Sequence, residues 1–340
     1  MPNAGVSFDV EAEAINESDG KLTSFNPQLQ AGGVGQDVQV KILFDKPLTG
    51  KTVLNYTVTG TANKKNVTTG TGSSASTSYN DFNLNGGNAK DTETLIVEAG
   101  ATDATITLTV YEDFDFEDSD DDGAGNYVET VILTLTEVVS GPAQLGETKL
   151  TNTLSIKEDD AVFLLQWLAL DSSDPTKAGD VDLDLVIQTG GQVANASDNT
   201  GTSYEGLFLP AGFPAGTYNF NYPYYSGTSD NVKFTAYMFS NSSGTLNGKS
   251  YPWSSTTAPP LTFTGTYKKV NINPYTTYAS LATVQTMVKS GINYTNISTI
   301  TVPSTGSRTT ESSFSNGLKP TVDLKLRNDQ IQKMMKNKNL

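Results

Sequence analysis

Short runs in which branched or aromatic residues alternate with polar ones recur along the chain, separated by Gly, Asn, Asp and Ser. A period of two sends successive side chains to opposite faces, so each run predicts a strand with one buried and one wet face. In the first half these runs are Val6–Val10, Val38–Phe44, Val53–Val58, Glu93–Val97, Thr105–Val110, Val131–Leu135 and Asn152–Ile156. So many short strands before residue 160 predict an antiparallel sandwich. Between them, Asn63–Ser78 is a Thr/Ser/Gly/Lys tract and predicts a long exposed loop.

The second half begins without a linker. Ala161–Leu168, apolar apart from Gln166, predicts a buried strand. In Gly179–Ile187, Val181, Leu183 and Leu185 are expected to face inward and Asp180, Asp182 and Asp184 outward. Tyr204–Leu209, Pro214–Tyr222, Val232–Phe239 and Ile297–Val302 are further strand candidates. Tyr278–Lys289, closed by Gly291, predicts the one internal helix. Ser304–Ser315 is linker-like, and Thr321–Leu326 predicts a short strand. The fold class expected is therefore all-β: consecutive antiparallel β-sandwich domains over 1–160 and 161–303, then a linker and basic tail over 304–340. In that tail Ile331, Met334 and Met335 share one helical face, which suits docking on an acidic neighbouring subunit.

Composition narrows the chemistry. The 340 residues carry a formal net charge of -15, with no histidine and no cysteine. Without cysteine there are no disulfides or thiolate metal sites, and without histidine no Ser-His-Asp triad or imidazole zinc site. The acidity leaves no basic stripe for nucleic acid and no attraction to an anionic membrane surface. No run of eighteen apolar residues predicts a membrane span. Met1 leads almost directly into strand-like sequence, and no signal peptide is read. Loss of a leader at cloning and exit by another route, such as inside a virion, both stay open.

The charge is concentrated. Eight of the eleven residues from Glu112 to Asp122 are carboxylates, a density that repels itself unless cations neutralise it. Asp118, Asp120, Asp122, Gly123 and Glu129 fit the calcium-loop spacing D-x-[DN]-x-[DN]-G-x5-E. In such a loop the three aspartates supply side-chain oxygens, Ala124 its carbonyl and Glu129 a bidentate carboxylate, while Gly123 takes the sharp turn. The usual helical flanks are missing, because strand-like runs lie on both sides.

The first 160 residues resemble a Calx-beta domain, the calcium-binding sandwich of sodium–calcium exchangers and many surface adhesins. The likeness lies in the order of several short motifs. Val6-Ser7-Phe8 with Glu17-Ser18-Asp19-Gly20 is similar to the opening strand and E-x-x-G turn. Asn80-Asp81-Phe82 is similar to the G-x-D-Y step, without its Gly and with Phe for Tyr. Val110-Tyr111-Glu112-Asp113 and Glu117 resemble the strand-ending double acid and downstream Glu. Glu129–Leu135 resembles the E-x-F-x-x-x-L strand, and Ile156-Lys157-Glu158-Asp159-Asp160 the closing I-x-D-D. The resemblance implies calcium ligands among Glu17, Asp81, Glu112, Asp113, Glu117, Asp159 and Asp160, gathered at one end of the sandwich. Asp159-Asp160 also marks the domain boundary, and a calcium site formed partly by these aspartates is expected to stiffen the interdomain junction. The inserted segment 118–127 departs from the family pattern and holds the calcium-loop spacing.

Residues of about 165–245, with Asp180-Val181-Asp182-Leu183-Asp184-Leu185 and Ala215-Gly216-Thr217-Tyr218, resemble the small jelly-roll-like sandwiches found behind secreted peptidases (pre-peptidase C-terminal-like) and in bacterial surface proteins. Asp180, Asp182 and Asp184 could hold a further calcium with Asp171, Asp174 or Glu205, or form a polar outer face. Tyr224-Tyr225 and Tyr251-Pro252-Trp253 fall in turn-like sequence, where exposed rings could stack sugars.

The expectation is thus a non-enzymatic, calcium-stabilised surface protein, extracellular or on a cell surface, acting in adhesion or assembly. Its partners would be calcium and other protein subunits or a cell-surface ligand, with no nucleic acid and no membrane insertion. A virion or filament subunit and a carbohydrate-binding module that takes glycan are the alternatives.

Overall fold

In the computed structural model the residues described are 3–16, 36–64, 67–69, 76–78, 81–111, 128–171, 181–190, 192–197, 201–227, 229, 231–255, 257–268, 281–302, 328–338 and 340. They form two compact all-β units, one up to Glu158 and one from Asp159 onward. No helix among them is long and apolar enough to cross a membrane.

Among the described residues the first unit has twelve strands: β1 (Ala4–Phe8), β2 (Ala12–Asn16), β3 (Gln36–Phe44), β4 (Thr52–Thr59), β5 (Val67–Thr69), β6 (Ser76–Ser78), β7 (Phe82–Leu84), β8 (Thr92–Val97), β9 (Asp103–Val110), β10 (Val128–Ser140), β11 (Ala143–Leu145) and β12 (Thr151–Lys157). Two five-stranded sheets, β11-β1-β3-β9-β7 and β2-β12-β10-β4-β8, make the sandwich. Alternation sets the faces. Val40, Ile42, Ile106 and Leu108 from one sheet and Tyr56, Val58, Val131 and Leu133 from the other are fully or almost fully buried. Burial of each such side chain stabilises by roughly 1.5–3 kcal/mol before entropy is counted. The sheets are not wholly antiparallel, since β1 pairs with β11 and β2 with β12 in parallel. The tract expected as an open loop over 63–78 contains the antiparallel pair β5 and β6, because Val67, Thr68 and Thr77 favour extended backbone.

The second unit has β13 (Ala161–Ala169), β14 (Val181–Leu183), β15 (Leu185–Thr189), β16 (Gln192–Ser197), β17 (Tyr204–Leu209), β18 (Gly216–Asn221), β19 (Tyr224–Gly227), β20 (Asn231–Phe239), β21 (Thr245–Leu246), β22 (Leu261–Lys268), β23 (Gln285–Ser290), β24 (Asn293–Thr295) and α1 (Asn328–Lys338). A four-stranded sheet, β17-β13-β20-β22, faces a six-stranded one, β16-β15-β18-β23-β24-β21. Phe163 of β13 meets Phe220 of β18 at 5.0 Å between ring centroids, and Tyr222 meets Phe234 of β20 at 5.5 Å. These aromatic contacts join the two inner faces.

Several expectations fail here for identifiable reasons. The predicted internal helix ends in a strand, β23. Its inward positions are Gln285, Met287 and Lys289, all buried, so two of the three inward residues are polar and the period of two is disguised. Gly291, at φ +56°, makes the turn from β23 to β24 and does not cap a helix. Ile297–Val302 forms no strand, although the amides of Ser298 and Thr301 reach the Thr286 and Val284 carbonyls at 2.9 and 2.8 Å. Asp184, expected on a polar outer face, is buried between β14 and β15. The expected Thr321–Leu326 strand lies outside the described residues.

Candidate metal centre

Three strand ends of the first unit lie at one end of its sandwich. Strand β10 alternates so that Val131, Leu133 and Leu135 face the core, and the same parity carries Glu129 inward. Glu129 is 7% exposed, and its Oε2 is buried with no hydrogen-bond partner among the described residues. Ile156 of β12 pairs with Glu129, and two residues on, Glu158 continues the same face and is also 7% exposed. Asp81 comes from the other sheet. It precedes β7, is fully buried, and accepts the Asn63 amide at Oδ2. Its backbone is held on both sides: its amide donates to the Asn63 carbonyl at 3.1 Å, and its carbonyl accepts the Tyr111 amide at 2.8 Å.

The corner that joins β4 to this end is tight. A Cβ on Gly60, at φ +122°, would stand 2.0 Å from the Thr130 carbonyl oxygen, so only glycine permits the approach. One residue further on, Thr61 and Thr130 exchange hydrogen bonds, and the Ala62 amide reaches the Thr130 carbonyl at 3.1 Å. Asn63 then meets Asp81. The path Gly60 to Asn63 thereby fixes Asp81 at the same end as Glu129.

Glu158, Asp159 and Asp160 each place one carboxylate oxygen within 4.8 Å of the others, and all three are buried. Like charges at such spacing repel by roughly 3–4 kcal/mol per pair at an effective dielectric of about 20. Asp160 is held firmly: its Oδ1 accepts the Ala211 amide at 2.9 Å and its carbonyl accepts Trp253 Nε1 at 2.8 Å. The Asp159 carbonyl accepts Asn241 Nδ2. The three carboxylates offer oxygen donors, the kind that suit a hard cation such as calcium.

Of the ligands expected from the sequence, Asp81, Glu129, Asp159 and Asp160 are thus buried and at strand ends. Glu17, Glu112, Asp113, Glu117, Asp118, Asp120 and Asp122 lie outside the described residues. The described residues on either side of the acidic stretch are Tyr111, whose amide donates to the Asp81 carbonyl, and Val128, next to Glu129. Glu158 is not among the ligands the sequence predicts, although its spacing of two from Ile156 puts it on the core face.

The other candidates fare differently. Asp171 accepts Ser229 Oγ, and the fully buried Glu205 accepts Ser197 Oγ, so each serves a local polar contact. Asp182 is half-buried, Asp184 is buried, and Asp174 and Asp180 lie outside the described residues. Tyr224 and Trp253, expected as exposed rings for sugar stacking, are each 6% exposed. Tyr224 donates to the Ser229 carbonyl at 3.1 Å, and Trp253 to Asp160 as above. Each polar tip finds a backbone acceptor, which draws the ring inside. Tyr251 is half-buried, and the side chain of Tyr225 is outside the described set.

No protein-family model matches the chain, and no curated protein does. Solved structures are similar in architecture. The apo-form Calx CBD1 domain shares 14% identity at a TM-score of 0.27, over 46% of this chain and 98% of that one. The calcium binding domain CBD12 of CALX1.1 shares 11% at 0.27, over 68% and 78%. The T6 backbone pilin of serotype M6 Streptococcus pyogenes shares 8% at 0.25, over 94% and 68%. These likenesses are of β-sandwich architecture alone and assign no chemistry.

Proposed function

We propose that this is a non-enzymatic, calcium-stabilised surface protein of Calx-beta type, working outside the cell in adhesion or assembly. The observation that carries the reading is Glu129, a carboxylate turned into the end of a sandwich with one oxygen lacking a hydrogen-bond partner among the described residues. A buried carboxylate left so is costly, and a cation is the simplest compensation. Asp81, Glu129 and Glu158 would hold calcium, with carboxylates of the 112–122 stretch tethered to the same end by the chain. Calcium would neutralise the acids and favour the folded state, while this chain's residues set the spacing of the oxygens.

The test is thermal melting of the intact chain in calcium and in chelator, with calorimetric titration of calcium. A higher midpoint in calcium, and saturable heat that Asp81→Asn weakens, are expected. Identical midpoints with no saturable heat overturn the reading.

A further inference from the structure

The apolar run of β13 is buried on both faces, but the sandwich accounts for only one. Phe163 faces the interior, where it meets Phe220 and, at 6.2 Å, Tyr294. Leu164 points the other way, and with it, by strand parity and register, go Val162, Phe208 and Phe239. All four are at most 2% exposed, although they lie on the outer face of the sheet.

Helix α1 covers this face. Gly206, opposite Leu164, leaves a socket for Ile331: a Cβ there would stand 2.7 and 2.8 Å from Ile331 Cγ1 and Cδ1. Ile331 is fully buried and Met334 nearly so. Gln332 Nε2 donates to the Tyr204 hydroxyl at 2.7 Å. At the far end Lys338 Nζ stands 5.2 Å above the Phe239 ring and donates to the carbonyls of Pro252 and Ala258 at 2.9 and 3.1 Å, and to that of Ser255. Among the described residues the contact rests on Ile331 and Met334, the Gln332 hydrogen bond and the Lys338 ammonium. An eleven-residue helix is marginal in water by itself, so it forms where it docks.

The 25 residues from Pro303 to Arg327 connect this helix to the sandwich. At full extension they reach roughly 80 Å, far beyond the width of one domain. The docking of α1 seen within one chain therefore puts no demand on which copy supplies the helix. The tail expected to dock on a neighbour is seated here on the chain's own second unit, and the same surface is the one a neighbour would offer.

We infer that α1 is exchanged between copies of this chain, the helix of one covering the outer face of β17-β13-β20-β22 in the next. Within one chain the linker keeps the helix at an effective concentration in the millimolar range, so exchange dominates only where copies are crowded, as on a surface or in a filament. The partner is a second copy, and recognition needs Ile331 in the Gly206 socket and Lys338 at its carbonyls.

The absence of native cysteine gives a clean test. One full-length copy carries Gly206→Cys and another Ile331→Cys; the position-206 Cβ lies close enough to the Ile331 side chain for a disulfide. The copies are mixed at high concentration, oxidised and compared with a pair in which Ile331→Cys is replaced by Thr94→Cys on the first unit. Exchange predicts a disulfide-linked heterodimer at least tenfold above that control. Control-level linking between folded variants overturns the inference. If the Gly206→Cys copy does not fold, the decision passes to a chain with residues 306–317 deleted. A dimer fraction above wild type at matched concentration supports exchange, and one no higher than wild type overturns it.

Discussion

The Trp253 indole donates to the main-chain carbonyl of Asp160 at 2.8 Å, across 93 residues of sequence. The ring is buried, so the bond is shielded from water and orients the backbone of an acid in the candidate metal centre. Trp253→Phe keeps most of the apolar volume and removes the donor. The second unit is expected to lose about 1–3 kcal/mol. Fluorescence of Trp167, the other tryptophan and also in that unit, follows the denaturant midpoint; an unchanged midpoint counts against the bond.

Glu129→Gln should act with opposite signs in two conditions. In chelator it removes a buried charge without a described partner, and the chain is expected to gain about 1–3 kcal/mol. In calcium it removes a ligand, and the calcium-dependent rise in melting temperature should shrink. Melting curves of variant and wild type in both buffers read the two effects together. A loss of stability in chelator would show that Glu129 already has a structural partner.

Lys289 is fully enclosed, and its ammonium donates to the carbonyls of Phe213 and Gly291 at 3.0 and 2.9 Å and to that of Ala211 at 2.5 Å. It thereby ties the loop after β17 to the turn after β23. Lys289→Met keeps the length of the side chain and withdraws all three donations. A cost of about 3 kcal/mol or more is expected, visible as a lower denaturant midpoint at unchanged slope. A midpoint within about 1 kcal/mol of wild type refutes the tie.

Alkali should destabilise the first unit through Tyr56. Burial, and secondarily the charge of Glu93, push the Tyr56 phenol up to about 12, against a contribution from Asn85 that lowers it. Folding thus favours the protonated phenol. That contribution is complete below pH 10, where the unfolded tyrosine begins to ionise, and is lost as pH rises towards about 12. Burial raises Tyr218, Tyr222 and Tyr267 in the same direction in the second unit. Tyrosinate absorbance is expected to rise together with the loss of near-ultraviolet dichroism, and Tyr56→Phe should flatten the slope in the first unit. Ionisation well before unfolding would contradict the shift.

The sequence by itself determined what is local. A period of two is a property of neighbouring residues, so it named the strands β3, β4, β9, β10 and β12 and the faces of Val131, Leu133 and Ile156. Clustering of like charge likewise made the stretch after Tyr111 a candidate for cations, and the absence of His and Cys restricted the side-chain donors to oxygen. The all-β class followed from both. Tertiary structure decided wherever a residue's role depends on a partner distant in the chain. The polar inward residues Gln285 and Lys289 look like a helical face until carbonyls from other loops surround them. Trp253 reads as an exposed ring until Asp160 offers an acceptor. The burial of β13 was legible in its composition, but its cover, an eleven-residue helix seated over Gly206, was not. Alternation says which way a side chain points, and only the packing of the second layer says what waits there.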